Sequence, residues 1–136
     1  MEQNISSRTV PTMPESTTDL LIVKLPVPPS VNELTYNRSV KGKRGRAITT
    51  KYRKWLSEAD KWLMLDNPRR KRVLPLIGRL SIEIMIPHIR GDASNRIKAA
   101  EDYLVSREIT GDDKHNHKIS IQFANVDCCI IRIVAL

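Results

Sequence analysis

Long apolar runs are absent from this chain. No stretch approaches the roughly 20 residues needed to span a bilayer, so no transmembrane helix is expected. Residues Met1 to Asp19 also lack the continuous apolar stretch of a secretion signal. Cysteine is scarce: the two present, Cys128 and Cys129, are adjacent. Neighbouring side chains on a strand point to opposite faces, and a bridge between them would close almost no loop. This excludes a disulfide framework and leads to the expectation of two small strand residues in a reducing cytoplasm. Carboxylates are also in deficit, with 15 Asp and Glu against 23 Lys and Arg, a formal net charge of +8.

That excess is clustered. Arg38, Lys41, Lys43, Arg44 and Arg46 crowd one glycine-containing segment, and Arg69, Arg70, Lys71 and Arg72 form a second run. Clusters of this kind favour a polyanion through Coulomb attraction and counterion release. A solvated basic surface is the plainer alternative. Neither cluster lies on an amphipathic helix with a broad apolar face, which makes an anionic membrane the weaker partner.

With 136 residues, one compact domain is expected, long enough to bury a core without staples. Residues 1–18 are polar and carry Pro11 and Pro14, which predicts a flexible tail before a domain spanning 19–136. Leu20 to Leu25 is a short apolar run suited to a first strand. Pro26, Pro28 and Pro29 then force an extended turn. Ser30 to Thr49 reads as a long basic loop. Thr50 can cap a helix in which Tyr52, Trp55, Leu56, Ala59, Trp62 and Leu63 form one apolar stripe, ended by Asn67-Pro68. Both tryptophans on that stripe read first as core and second as a base-stacking platform.

Leu80, Ile82, Ile84 and Ile86 alternate with Ser81, Glu83 and Met85, the pattern of a half-buried strand. Asp92 or Ser94 can cap a second helix over about Asn95 to Arg107. Lys118 to Phe123 alternates again, and Cys128 to Leu136 is a last apolar strand. The expectation is an α+β fold: one domain, a small mixed sheet and two main helices in the order β-α-β-α-β-β.

Chemistry points to the segment Asp92 to Asp102. Ser94, Lys98 and Asp102 are spaced by four and share one helix face. The pair Asp112-Asp113 follows, and a hairpin-like return could bring Asp113 beside Asp92. Carboxylates converging near a lysine suit phosphodiester hydrolysis: oxygen ligands hold Mg²⁺, and lysine balances phosphate charge. The structural alternatives are a surface Lys98–Asp102 pair, Asp92 as a helix cap, and Asp112-Asp113 as turn chemistry. By spacing alone those alternatives are favoured. His115 and His117 read as exposed loop histidines able to touch phosphate, and His88 is given no role.

Two motifs resemble the RusA family of Holliday-junction resolvases. Leu25-Pro26-Val27-Pro28-Pro29-Ser30-Val31-Asn32 is similar to that family's proline-rich L-P-x-P-P-S-x-N turn. Asp92-Ala93-Ser94-Asn95-Arg96-Ile97-Lys98, with Asp102 and then Asp112-Asp113, is similar to its D-x-D-N-x-x-K block, later aspartate and D-D pair. The resemblance covers about residues 20 to 136. It implies a homodimeric, often prophage-borne endonuclease that binds four-way DNA junctions and cuts paired strands with Mg²⁺ or Mn²⁺. It also implies Asp92, Lys98 and Asp113 as catalytic residues, with Asp92 and Asp113 on the metal, joined by Asp112. Asn95 and Asp102 support them; the two basic clusters, from their charge, are expected to grip the DNA arms. The sequence departs from the family where Ser94 stands in place of the second aspartate. A hydroxyl is a poorer Mg²⁺ ligand and reaches the ion at best through water. The other implied outcome is a junction-binding protein that cuts poorly.

Overall fold

The computed structural model describes residues 19–112 and 117–136. The segment read as a tail, 1–18, lies outside the described residues, as do Asp113 and His115. Six strands and two helices form a single α+β unit: β1 (Asp19–Leu25), β2 (Thr35–Val40), β3 (Lys43–Ile48), α1 (Thr50–Asp66), β4 (Leu80–Ile86), α2 (Ile97–Ser106), β5 (His117–Phe123) and β6 (Cys129–Ala135).

The main sheet runs β1-β6-β4-β5. Strand β6 is antiparallel to both β1 and β4, whereas β4 and β5 are parallel. Alternation along β4 puts Leu80, Ile82, Ile84 and Ile86 on one buried face. Ile82 faces Ile133 and Ile84 faces Ile131 across the β4–β6 ladder. Both helices cover this face: Trp55 and Ala59 of α1 and Ala99, Ala100, Tyr103 and Leu104 of α2 join the same core. On the other face Arg132 reaches Asp19 at 2.8 Å and Glu83 at 3.3 Å, tying three strands together.

A polar clamp fixes the helices to each other. Asp60 accepts hydrogen bonds from the Arg107 guanidinium at 2.6 and 3.0 Å and from the Tyr103 hydroxyl at 2.8 Å. The guanidinium also lies 4.9 Å from the centre of the Tyr103 ring. Arg107, and secondarily the Tyr103 hydroxyl, hold the Asp60 carboxyl below its ordinary range despite an opposing push from burial.

The structure corrects four local expectations. The segment 30–49 is not a loop: a 3-10 turn (Val31–Glu33) leads into a β2–β3 hairpin. Lys41 and Gly42, with φ of 53° and 77°, make a two-residue turn whose twist matches the strands it joins. The hairpin lacks apolar alternation, so the usual strand signal is missing. Helix α1 is capped by Thr49 rather than Thr50, the Thr49 hydroxyl accepting from Tyr52 N–H at 3.0 Å. Neither Asp92 nor Ser94 caps α2: a 3-10 turn (Ala93–Arg96) precedes it, and Arg96 occupies the cap position without a side-chain capping bond. Finally, β5 does not return as a hairpin. Helix α2 is the crossover of a parallel β4–α2–β5 unit, so His117 lies opposite Leu80 at the start of β4. Asp92 follows the other end of that strand.

Candidate nucleic-acid interface and carboxylate site

The proline-rich turn and the acidic block meet in space. Leu25 ends β1 beside Cys129, and Pro28 and Pro29 are buried just beyond it. The Arg96 guanidinium donates to the Pro28 carbonyl at 2.6 Å across 68 residues of sequence. The 3-10 turn Val31–Glu33 packs against the turn Ala93–Arg96 and against α2. Ser30 N–H donates to the Glu33 carboxylate at 3.1 Å, and Lys51 at the start of α1 pairs with the same group. Lys51, then the Ser30 backbone, hold the Glu33 carboxyl low. The Trp55 indole N–H donates to the Pro26 carbonyl at 3.0 Å, which places that ring in the core rather than at a stacking platform.

Around this junction Asn32, Asp92, Ser94 and Asn95 are exposed. The Asp92 carbonyl accepts from Asn95 N–H at 3.2 Å, while its side chain makes no capping bond and is exposed, so the carboxylate is available to a ligand. Lys98 is paired: its ammonium lies 3.1 Å from Asp102, with both side chains open to solvent. Asp102 raises the Lys98 pKa, first by that hydrogen bond. This is the surface i,i+4 pair that spacing alone favours. Asp112 is exposed in a bend beyond Thr110, which pairs with Leu76 near the start of β4. Among the described residues no group of three His, Cys, Asp or Glu side chains gathers. A Mg²⁺ site draws on several oxygen ligands, and the described residues do not complete one.

The first basic cluster is displayed on the hairpin. Arg38, Lys41, Lys43, Arg44 and Arg46 are all exposed, and residues 35–48 contain no carboxylate. A concavity of about 580 Å³ is lined by these five cations with Gly45 and Ala47. The pairing register sorts the side chains. Asn37 with Arg46 and Ser39 with Arg44 share one face, while Tyr36 with Ala47 and Arg38 with Gly45 share the other. Arg46 also donates its Nε to the Thr35 hydroxyl at 3.0 Å.

The second cluster is placed differently. Lys71 pairs with Asp66 at 2.9 Å, and Arg72 donates to the Leu20 carbonyl at 2.7 Å at the start of β1. Arg69 is exposed, and the Arg70 side chain lies outside the described residues. In the chain the two clusters flank α1, whose 17 residues span about 25 Å. His88 stacks on Phe123 with ring centres 5.6 Å apart, packing the end of β5. His117 opens β5, half-buried. No helix among the described residues is long and apolar enough to cross a membrane.

The sequence matches no protein-family model and no curated protein. The RusA resemblance therefore stands on its two sequence motifs.

Proposed function

We propose that this chain binds branched DNA, with four-way junctions as its substrate, and acts on it as a Mg²⁺-dependent endodeoxyribonuclease of the RusA type. The observation that carries the reading is the Arg96–Pro28 bond, because it joins the two motifs on which the resemblance rests. Nothing in their sequence separation requires them to touch. Beside that contact rises a hairpin with five cations and no carboxylate, the chemistry that neutralises phosphates without reading bases. Asp92, directly before the turn that packs on Val31–Glu33, presents an exposed carboxylate with no capping bond. Asp92 and Asp113, with Ser94 through water, are the residues proposed to hold Mg²⁺, whose role is to activate water and stabilise phosphate charge; Asp112, expected to join them, lies beyond Thr110 near the start of β4, at the opposite end of that strand from Asp92, and is left out of the set. A homodimer would supply the two-fold symmetry that paired cuts need.

A second reading has its own support. Ser94 lacks the family's carboxylate, and Lys98 is engaged with Asp102 rather than free. Both favour a junction-binding protein that cuts weakly. Nicking of a synthetic four-way junction in Mg²⁺ separates the two. The nuclease reading expects cutting by the native chain and none by Asp92→Asn. Cutting that appears only in Ser94→Asp supports the binding protein. Cutting unaffected by Asp92→Asn would remove this site from the chemistry.

A further inference from the structure

We propose that Tyr36 is a stacking residue for an unpaired DNA base, and that through it the chain distinguishes branched or single-stranded DNA from intact duplex. The proposal deepens the reading that the hairpin binds DNA and rests on it. Tyr36 sits on β2 and is 49% exposed, so about half of its surface is open to a ligand. Its direct cross-strand partner is Ala47, and the diagonal partner on the same face is Gly45. Cross-strand aromatic and β-branched pairs stabilise hairpins, but an alanine methyl and a glycine give the ring almost nothing to pack on. A structural role in holding the ribbon together is therefore poorly served by this register. Arg38, two residues along β2 on the same face, lies opposite Gly45 and is equally open. The face thus presents a planar ring and a guanidinium side by side, flanked by small residues and free of carboxylates.

This is the combination that binds unpaired nucleic acid: a cation follows the phosphate while a base stacks on the ring. Bases in a duplex are already stacked on their neighbours and hidden from such a ring. At a branch point or a single-stranded gap they are available. The position of Tyr36 fits that role, since Leu34, two residues earlier, is buried in the core and the adjoining turn Val31–Glu33 packs on Ala93–Arg96. Tyr36 therefore stands at the foot of the ribbon, three residues past the turn that packs on the segment following Asp92. The opposite face carries Arg44 and Arg46 among Asn37 and Ser39, with Ile48 at its base beside Thr35, and no aromatic ring; it is left to the phosphates.

The test uses three fluorescein-labelled DNAs at one salt concentration in EDTA: a four-way junction, a linear duplex with the sequence of two of its arms, and a single strand. Anisotropy titrations compare the native chain with Tyr36→Ala and Tyr36→Phe. Tyr36→Ala is expected to weaken junction and single-strand binding by roughly 5- to 150-fold, the range for loss of one stacked base. Duplex binding should stay within about two-fold, and Tyr36→Phe should bind like the native chain. A 2-aminopurine at the branch point should be quenched by the native chain and by Tyr36→Phe, but not by Tyr36→Ala. Equal weakening on all three DNAs, or none on any, overturns the proposal while leaving the DNA-binding reading intact. Failure of the native chain to bind any of the three overturns both. Unchanged thermal unfolding of Tyr36→Ala shows that the comparison is between folded proteins.

Discussion

The hairpin's charge makes a quantitative prediction about salt. Each phosphate neutralised on B-form DNA releases counterions and contributes about −0.9 to the slope of log K against log salt. If all five ribbon cations meet phosphates, their share of the slope is about −4.5. Between 50 and 200 mM salt this amounts to roughly a 500-fold loss of affinity. Arg44 and Arg46 lie on one face, opposite Ser39 and Asn37, so Arg44→Gln with Arg46→Gln removes two charges from a single surface. The slope should then become shallower by about 1.8. Anisotropy titrations of a labelled junction in EDTA, repeated across that salt range, measure it directly. The far cluster is the control. Lys71 is paired with Asp66, so Arg69→Gln with Lys71→Gln should change the slope by no more than about 0.9. Slopes of the ribbon variant and the native chain agreeing within about 0.5 would refute the assignment of this face to phosphate, because that change is the least ambiguous consequence of counterion release.

Three further outcomes follow from the packing. Arg96→Met removes a charged donor from the Pro28 carbonyl, and should lower the free energy of unfolding in urea by roughly 1.5–3 kcal/mol, less to the extent that water replaces the donor. An unchanged urea midpoint would mean the two motifs are held together by other contacts. Asp60 has a lowered folded pKa, so its charged partnership with Arg107 is fully present above its unfolded pKa and is lost as pH falls through the lower folded value. The stability gap between the native chain and Asp60→Asn should therefore be steady near neutral pH and narrow below about pH 4; a gap that widens in acid contradicts the sign. Burial pushes the Cys129 thiol up to about 12, and burial first, then Asp127, raises that of Cys128. Neither should react quickly with a thiol reagent at pH 8 until denaturant is added, and a fast-reacting thiol in the native chain would show that this end of β6 opens.

Much of the scaffold was legible in the residues. The α+β class, the Trp55–Ala59 part of the α1 stripe, the alternation of β4 and the strand-like runs at both ends each carry a periodic signal that burial enforces, whereas Trp62, expected in the core, is 36% exposed. What escaped had no such signal. The β2–β3 hairpin is exposed on both faces, so its pattern of Tyr36, Arg38, Arg44 and Arg46 shows no apolar period, and the Lys41-Gly42 turn is its single local marker. Tyr36 accordingly passed unnoticed as a stacking candidate while the tryptophans attracted that reading. The cross-strand partners Ala47 and Gly45, eleven and nine residues away, are what leave its ring about half open.

The sequence by itself determined the chemistry available: a cationic chain with carboxylates gathered after its fourth strand, and hydrophobic periods that dictate which faces are buried. Only the tertiary structure decided what stands next to what. Parallel pairing of β5 with β4 replaced a hairpin return, because α2 carries the chain back along the sheet before β5 begins. The length of α1 parted two basic clusters that look equivalent in sequence, and engaged Lys71 and Arg72 with Asp66 and the start of β1. A guanidinium 68 residues from its acceptor drew the proline turn against the acidic block. Such pairings depend on the path of the backbone through space, which local propensity constrains but does not specify.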